Sequence, residues 1–176
     1  MIPAAMHMPA MLAIGAILLL QGCSYAISSS VARNADRSLT FQQLQADPAL
    51  FKGKTVILGG VMAGTRTTKT GTTIEIIQKE LDYWGKPRRT VRTGGRFLVI
   101  TSSLLDPLVY SPGRELTVAA EVTGREEKGI GEARIPYPLL HAVEMKLWPR
   151  ETQARDSPTW LDPLYDPSLP QDKFGY

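Results

Sequence analysis

The sequence is poor in the side chains that most catalytic and metal sites use. It holds one cysteine and two histidines among 176 residues. One cysteine excludes an internal disulfide and any site built from several cysteines. A Ser/His/Asp triad needs a histidine base, and His141 is the single histidine beyond residue 23. It lies in a predicted strand, on the face shared with Val143 and Met145, which favours a partly buried structural side chain over a base.

Phosphate-binding loops are also missing, because the glycines fit neither the P-loop pattern nor GxGxxG. The carboxylates lack the spacing of a metal-binding loop, so we expect no metal site. Glu75 and Glu144 could still meet in space as a glycosidase pair, but glutamates at alternate strand positions usually form the solvated face. We therefore expect no catalytic residues. The carboxylates weighed as metal ligands are Asp106, Glu115, Glu121 and Glu144.

One uncharged apolar run stands near the start, over residues 10–20. It is shorter than the roughly 20 residues that a helix needs to cross a bilayer, and it has the length of a signal-peptide core. Leu20, Gln21, Gly22 and Cys23 follow, and they resemble the lipobox of bacterial lipoproteins. That resemblance implies cleavage before Cys23, with diacylglycerol on its sulfur and an acyl chain such as palmitate on its nitrogen. We expect no other cofactor.

Two other interpretations of the first 23 residues stay open. They could form an ordinary secretory signal, or a hydrophobic anchor with a chance cysteine. The lipoprotein interpretation is favoured because the single cysteine stands at the one position that a lipobox requires. Ser24 resembles the outer-membrane default at the position after the cysteine. We therefore expect a lipid anchor on the periplasmic face of the outer membrane.

The chain divides into four segments by composition. We expect a signal peptide over residues 1–22 and a lipidated, Ser- and Ala-rich tether over residues 23–37. Residues 38–149 form the predicted β domain. Residues 150–176 are rich in proline and predict a disordered or loosely docked tail.

A short helix is predicted before the strands, from Ser38 to Leu44. Thr40 can cap it, with Gln43 at the capping-box position. We expect Phe41, Leu44 and Leu50 to pack inward. Five strands are then predicted over residues 56–62, 72–77, 96–101, 115–123 and 141–148.

Alternation along the predicted strands assigns their faces. The side chains expected inside are Val118, Ala120 and Val122, then Val143, Met145 and Leu147, while Ile74 and Ile76 share a face. Gly59 and Gly60 indicate a bulge or bend. Without any βαβ rhythm, the fold class is all-β. The expected architecture is a small antiparallel OB-like barrel with one short N-terminal helix, and an open sandwich is the alternative.

Positive charge is concentrated in one loop, although the formal net charge is only +3. The loop follows Tyr83 and Trp84. It is either a solvated loop or a patch that contacts anions, such as lipid phosphates, lipopolysaccharide or an acidic envelope protein. Aromatics beside cations could also suit single-stranded nucleic acid, but export argues against that partner. The five cations are Lys86, Arg88, Arg89, Arg92 and Arg96.

Several short pieces of the chain, together with the lipobox, resemble the Slp family of outer membrane lipoproteins, named for a starvation-associated lipoprotein. The pieces lie at residues 51–56, 59–61, 73–76, 95–98, 105–107, 110, 113–114, 129–132, 137–138 and 147–149. The resemblance covers roughly residues 38–149 and the lipobox. It implies an envelope lipoprotein with an all-β domain, and it brings no catalytic residues.

Three functions remain at this point. The favoured one is a non-enzymatic structural or interaction module of the cell envelope. The second is a binding protein for lipid, glycan or peptide, which should show an apolar or basic groove next to residues 83–96. The third, a cryptic hydrolase, should show two polar catalytic groups within hydrogen-bond reach in a pocket. The sequence does not predict an oligomeric state.

Overall fold

Five strands close into one barrel in the computed structural model, which describes residues 25–130 and 133–150. The strand order around the barrel is β1-β2-β3-β5-β4, as in an OB-type Greek-key barrel. All neighbouring strands are antiparallel except β3 and β5, which are parallel. The expected all-β, OB-like barrel is confirmed, with one parallel pair inside it. The strands are β1 (Thr55–Thr68), β2 (Gly71–Lys79), β3 (Arg96–Thr101), β4 (Glu115–Ile130) and β5 (Ala133–Leu147).

Strand β1 is long because it pairs with two partners in turn. Its first part pairs with β4 and its second part with β2, and the two pairings overlap at Gly59–Val61. At this overlap the strands are so close that a Cβ atom on Gly60 would collide with the carbonyl oxygen of Ile77. The glycines therefore permit a close approach, and the bulge itself lies between Met62 and Gly64.

The barrel interior holds the side chains that alternation placed there on β2 and β4. Ile74 and Ile76 have no exposed surface, and the same holds for Val118 and Val122. Burying each such side chain stabilises the fold by about 1.5–3 kcal/mol. Phe97 on β3 is the largest of the fully buried side chains among the described residues, and its ring centroid lies 5.8 Å from that of Phe41.

The predicted N-terminal helix is present as α2 (Phe41–Ala46), after an earlier helix α1 (Ser29–Asn34). Its capping box is confirmed, because Gln43 N donates to Thr40 Oγ1 at 3.3 Å and Thr40 N donates to Gln43 Oε1 at 2.9 Å. Phe41 and Leu44 are buried as expected.

The inward placement of Leu50 is wrong. Leu50 is 76% exposed, because Pro48–Phe51 forms a 3-10 helix with its own turn geometry. Phe51 packs against the core in its place.

The face assignment of β5 was wrong at two residues. Ala119 pairs with Glu144 and Ala120 pairs with Ala142, so Val143 is an extra, bulged residue. Val143 is therefore exposed, whereas Met145 and Leu147 pack against the core as predicted. Since the bulge reverses the alternation, His141 also lies on the exposed surface rather than partly buried.

The expected tether is also wrong from Tyr25 onward. Ala26 and Ile27 are buried against Ala119 on the outer face of the barrel, with Val31 and Ile57 around them. Ala26 N donates to Trp84 O at 3.1 Å, which fixes the start of the segment. The segment docks because this outer face is apolar and gains from being covered.

The signal peptide, the lipobox and the tail were also predicted, at the two ends of the chain. Residues 1–24, with the signal peptide and lipobox, lie outside the described residues, as do residues 151–176 of the expected tail.

Strands β4 and β5 continue past the barrel as a two-stranded arm. Their pairing runs from Leu116–Leu147 to Ile130–Ala133, whereas β1 leaves β4 at Glu121. Strand β3 pairs with β5 only over Leu139–His141. Residues 125–130 and 133–138 therefore form the arm.

Among the described residues, no helix combines the length and the apolar character needed to cross a membrane.

Candidate functional site

A groove of about 690 Å³ opens between the N-terminal segment and the loop that follows β2. Apolar side chains from both segments line it, including Ala32, Leu39 and Leu81. Asp36 and Asp82 add polar groups to its wall. Because Tyr83 and Trp84 belong to the lining, the groove lies next to residues 83–96, as the binding-protein hypothesis requires.

The loop over residues 81–87 is fixed by hydrogen bonds to its own backbone. Asp82 Oδ1 accepts from the amides of Trp84 at 2.9 Å and Lys86 at 2.8 Å. Gly85 has a φ of 82°, a conformation that other residues rarely adopt. Thr117 Oγ1 on β4 donates to Gly85 O at 2.6 Å. These bonds hold the loop against the barrel.

Three aromatic side chains pack against one another at the mouth of the groove. We call Tyr25, Tyr83 and Trp84 the aromatic cluster. The ring centroid of Tyr25 lies 5.8 Å from that of Tyr83 and 5.6 Å from that of Trp84. Tyr83 and Trp84 meet edge to face at 5.1 Å. Tyr25 Oη donates to Tyr83 Oη at 2.9 Å. The cluster thus joins the N-terminal segment to the loop.

The carboxylates of the groove serve the backbone fold. Asp36 Oδ1 accepts from Ser38 Oγ at 2.7 Å and from Ser38 N at 3.1 Å, and Lys54 Nζ lies 3.3 Å from Asp36 Oδ2. Hydrogen bonds from Ser38, together with Lys54, hold the pKa of Asp36 below its usual value. The carboxylate is therefore charged at neutral pH and engaged within its own turn.

Glu75 and Glu144, weighed as a glycosidase pair, are held by different partners. Glu144 accepts from Ser28 N at 2.9 Å and from Ser28 Oγ at 2.6 Å. Glu75 accepts from Arg96 at 2.6 Å. The two glutamates lie on β2 and β5, which β3 separates, so the barrel does not bring them together. Within residues 25–130 and 133–150, no group of three His, Cys, Asp or Glu side chains is arranged to hold a metal ion.

The five cations predicted as a patch differ in their partners. Arg96 binds Glu75, and this hydrogen bond raises the pKa of Arg96 above its usual value. Lys86 Nζ and Arg89 Nε lie 3.6 Å and 3.2 Å from the carboxylate oxygens of Glu115. Three of the five cations are therefore partly neutralised by acidic side chains.

Residues 86–96, which carry the five cations, are called the basic segment, and Arg88 and Arg92 are its other two cations. Both are exposed, and the described part of the chain gives neither of them an ion pair. Lys79 Nζ donates to the backbone carbonyl of Arg92 at 3.1 Å, which supports the loop beneath that side chain. These two arginines are the part of the segment best placed to meet an anion.

The N-terminal wall of the groove was not predicted, although the sequence contains a signal for it. Ala26, Ile27, Val31 and Ala32 form an apolar stripe directly after the lipobox, and Ile27 and Val31 have the i,i+4 spacing of one helix face. In a free tether, such apolar side chains would have no surface to pack against. The apolar outer face formed by Ala119 on β4 and Ile57 on β1 is its counterpart.

A comparison with protein families shows to which family the chain belongs. The family described as "Outer membrane lipoprotein Slp family" matches residues 20–172, which include the lipobox, the barrel and most of the segment after it. The chain belongs to the Slp family. It is an outer membrane lipoprotein, as the resemblance implied, and the match reaches beyond residue 149, where that resemblance ended.

One curated protein and one solved structure are also similar to this chain. "Outer membrane protein Slp" of Escherichia coli (strain K12) is 28% identical to this Slp-family chain over 132 residues, covering 72% of the chain and 69% of the relative. Among solved structures, a putative aspartyl-tRNA synthetase from Leishmania major Friedlin aligns with 10% identity and a TM-score of 0.38. The alignment covers 77% of this chain and 26% of the synthetase, so the chain spans about a quarter of that protein.

Proposed function

We propose that this outer membrane lipoprotein is a non-enzymatic interaction module, and that the groove beside the aromatic cluster is its binding surface. The observation that carries the proposal is the position of the groove. Its wall begins at Tyr25, two residues after the lipobox cysteine. The groove is apolar with a few fixed polar groups, the usual composition of a binding site.

Hydrogen bonding supports a non-enzymatic role. Asp36 and Asp82 each accept two hydrogen bonds from their own turns, which leaves them holding structure. A general acid or base must instead be free to reach a substrate proton.

The proposal includes a lipid anchor on Cys23, with residues 1–22 removed. We expect labelled palmitate to enter the wild-type protein and to be absent from Cys23→Ala. Membrane fractionation should then place the wild type with the outer membrane and the variant in the soluble fraction. Equal label in the two proteins would contradict the anchor.

The binding surface can be tested by photo-crosslinking in living cells. A photo-reactive amino acid at Leu39, which lines the groove, should give a discrete product with an envelope component. The same amino acid at Val91, which is 99% exposed and outside the groove, is the matched control. Similar products from both positions, or none from Leu39, would refute the groove as the binding surface.

A further inference from the structure

We infer that the aromatic cluster of Tyr25, Tyr83 and Trp84 seats the barrel in the lipid headgroup layer of the leaflet that holds the anchor. This inference rests on the proposed anchor at Cys23 and names the partner of the mouth of the groove. The partner is the interface of a phospholipid bilayer, recognised by rings that are apolar on their faces and polar at one end.

Chain length places the cluster at the membrane. Tyr25 follows Cys23 by two residues, and an extended chain spans at most about 3.6 Å per residue. The Cα atom of Tyr25 therefore lies within about 7 Å of that of the lipidated cysteine. Each headgroup layer of a bilayer is itself about 5–8 Å thick. When Cys23 is acylated, Tyr25 must therefore lie within or directly beside the headgroup layer.

Because the N-terminal segment is docked on the barrel, the short distance from Cys23 to Tyr25 also fixes which side of the barrel faces the membrane. Ala26 and Ile27 are buried on the barrel, and Ala26 N donates to Trp84 O at 3.1 Å. Tyr25 therefore cannot swing away on a flexible linker while the barrel floats free. The loop that carries Tyr83 and Trp84 must approach the leaflet together with Tyr25.

The exposure of the cluster fits an interfacial environment better than water. Tyr25, Tyr83 and Trp84 are 51%, 74% and 44% exposed. Tyrosine and tryptophan concentrate at membrane interfaces, where the ring meets acyl chains and the hydroxyl or indole N–H meets headgroups. Three such side chains packed together beside the proposed anchor provide this chemistry.

The arm formed by β4 and β5 is far from the aromatic cluster along β4. Thr117 contacts the loop at Gly85, while Glu127 near the tip follows ten residues later along the same strand. Ten strand residues span about 30 Å. The arm tip therefore serves as a reference position on the same molecule, separated from the cluster by most of β4.

Fluorescence quenching by brominated lipids tests the seat in the full lipidated protein. The protein is reconstituted into phosphatidylethanolamine and phosphatidylglycerol vesicles brominated near the headgroup end of the acyl chains. Trp148→Phe and Trp160→Phe leave Trp84 as the one tryptophan. The control adds Trp84→Phe and Glu127→Trp, which moves the tryptophan to the arm. We expect at least threefold stronger quenching of Trp84 than of the arm tryptophan.

Flotation of the same vesicles separates the inference from the proposed anchor. Protein that floats with the vesicles and shows equal quenching at both positions would refute the seat and leave the anchor standing. Protein that stays at the bottom of the gradient would refute the anchor at Cys23, and the seat with it.

A second measurement retains all three tryptophans, because Trp148→Phe removes the hydrogen bond from Trp148 Nε1 to Thr117 Oγ1. With Cys23 acylated, an introduced cysteine is the single free thiol of the mature chain. A spin label at Tyr83→Cys should be protected from a water-soluble paramagnetic reagent, and a label at Glu127→Cys should be accessible. Equal accessibility of the two labels would overturn the inference.

Discussion

Gly60 is the residue at which the barrel is least tolerant of an added atom. It lies where β1 pairs with β2 and β4 at once, and a Cβ atom there would meet the backbone of Ile77. A backbone carbonyl cannot rotate aside as a flexible side chain can. The tight barrel at this point therefore depends on the missing side chain itself.

We expect Gly60→Ala to lower the free energy of unfolding by at least about 1–3 kcal/mol, the usual cost of forcing extra volume into a packed core. The matched control is Gly64→Ala on the same strand, where an added Cβ has nothing within 4 Å. Urea unfolding followed by circular dichroism compares the two variants. Equal stability of Gly60→Ala and wild type would mean that β1 and β2 can separate at little cost.

The N-terminal segment with α1 is the element that most changes the picture drawn from the sequence. Ile27 is 5% exposed and packs with Ala119, Val31 and Ile57 on the outer face of the sheet. Ser28 adds two hydrogen bonds to Glu144 on β5. The segment is therefore part of the folded domain and carries one wall of the groove.

We expect Ile27→Ala to destabilise the domain by about 2–5 kcal/mol, the cost of removing a buried isoleucine. Hydrogen exchange should rise over residues 26–34 before it rises in the barrel strands. Val91→Ala, at a 99% exposed position, should change stability by less than about 0.5 kcal/mol. Unchanged exchange over residues 26–34 in Ile27→Ala would show that α1 does not depend on this contact.

The sequence correctly predicted the features that depend on residues close together in the chain. The capping box at Thr40 and Gln43 and the alternation at Ile74 and Ile76 both act within a few residues, and both are confirmed. The bulge at Val143 depends on the register between β4 and β5, which the pattern of β5 alone does not contain. Docking of α1 depends in turn on an outer face that exists only once β1 and β4 pair.

The same distinction explains the candidate site. The sequence predicted the basic segment, but the acidic partners of that segment stand far along the chain. Arg96 and Glu75 are 21 residues apart, and Arg89 and Glu115 are 26 residues apart. Strand pairing and loop packing bring such pairs together, so the sequence could not separate neutralised cations from the accessible ones.

At the scale of the whole molecule, the accessible cations follow the aromatic cluster closely. Arg88 comes four residues after Trp84, and its backbone amide donates to Glu80 O at 2.7 Å. A barrel seated through the aromatic cluster therefore presents this part of the loop near the same leaflet. Charge on the loop can then add to the anchor, since each basic residue near an anionic surface contributes about 1 kcal/mol.

We expect the charge reversals Arg88→Glu and Arg92→Glu together to weaken binding to anionic vesicles at least tenfold. The measurement uses mature Cys23→Ala protein, so that acyl chains do not mask the effect. The control pair Arg66→Glu and Lys69→Glu changes the net charge equally, at exposed positions near the β1–β2 turn. Added salt should remove the difference, because screening shortens the reach of surface charge to about 10 Å at 0.1 M. Equal weakening by both pairs would assign the attraction to net charge, and the basic segment would then have no specific part in it.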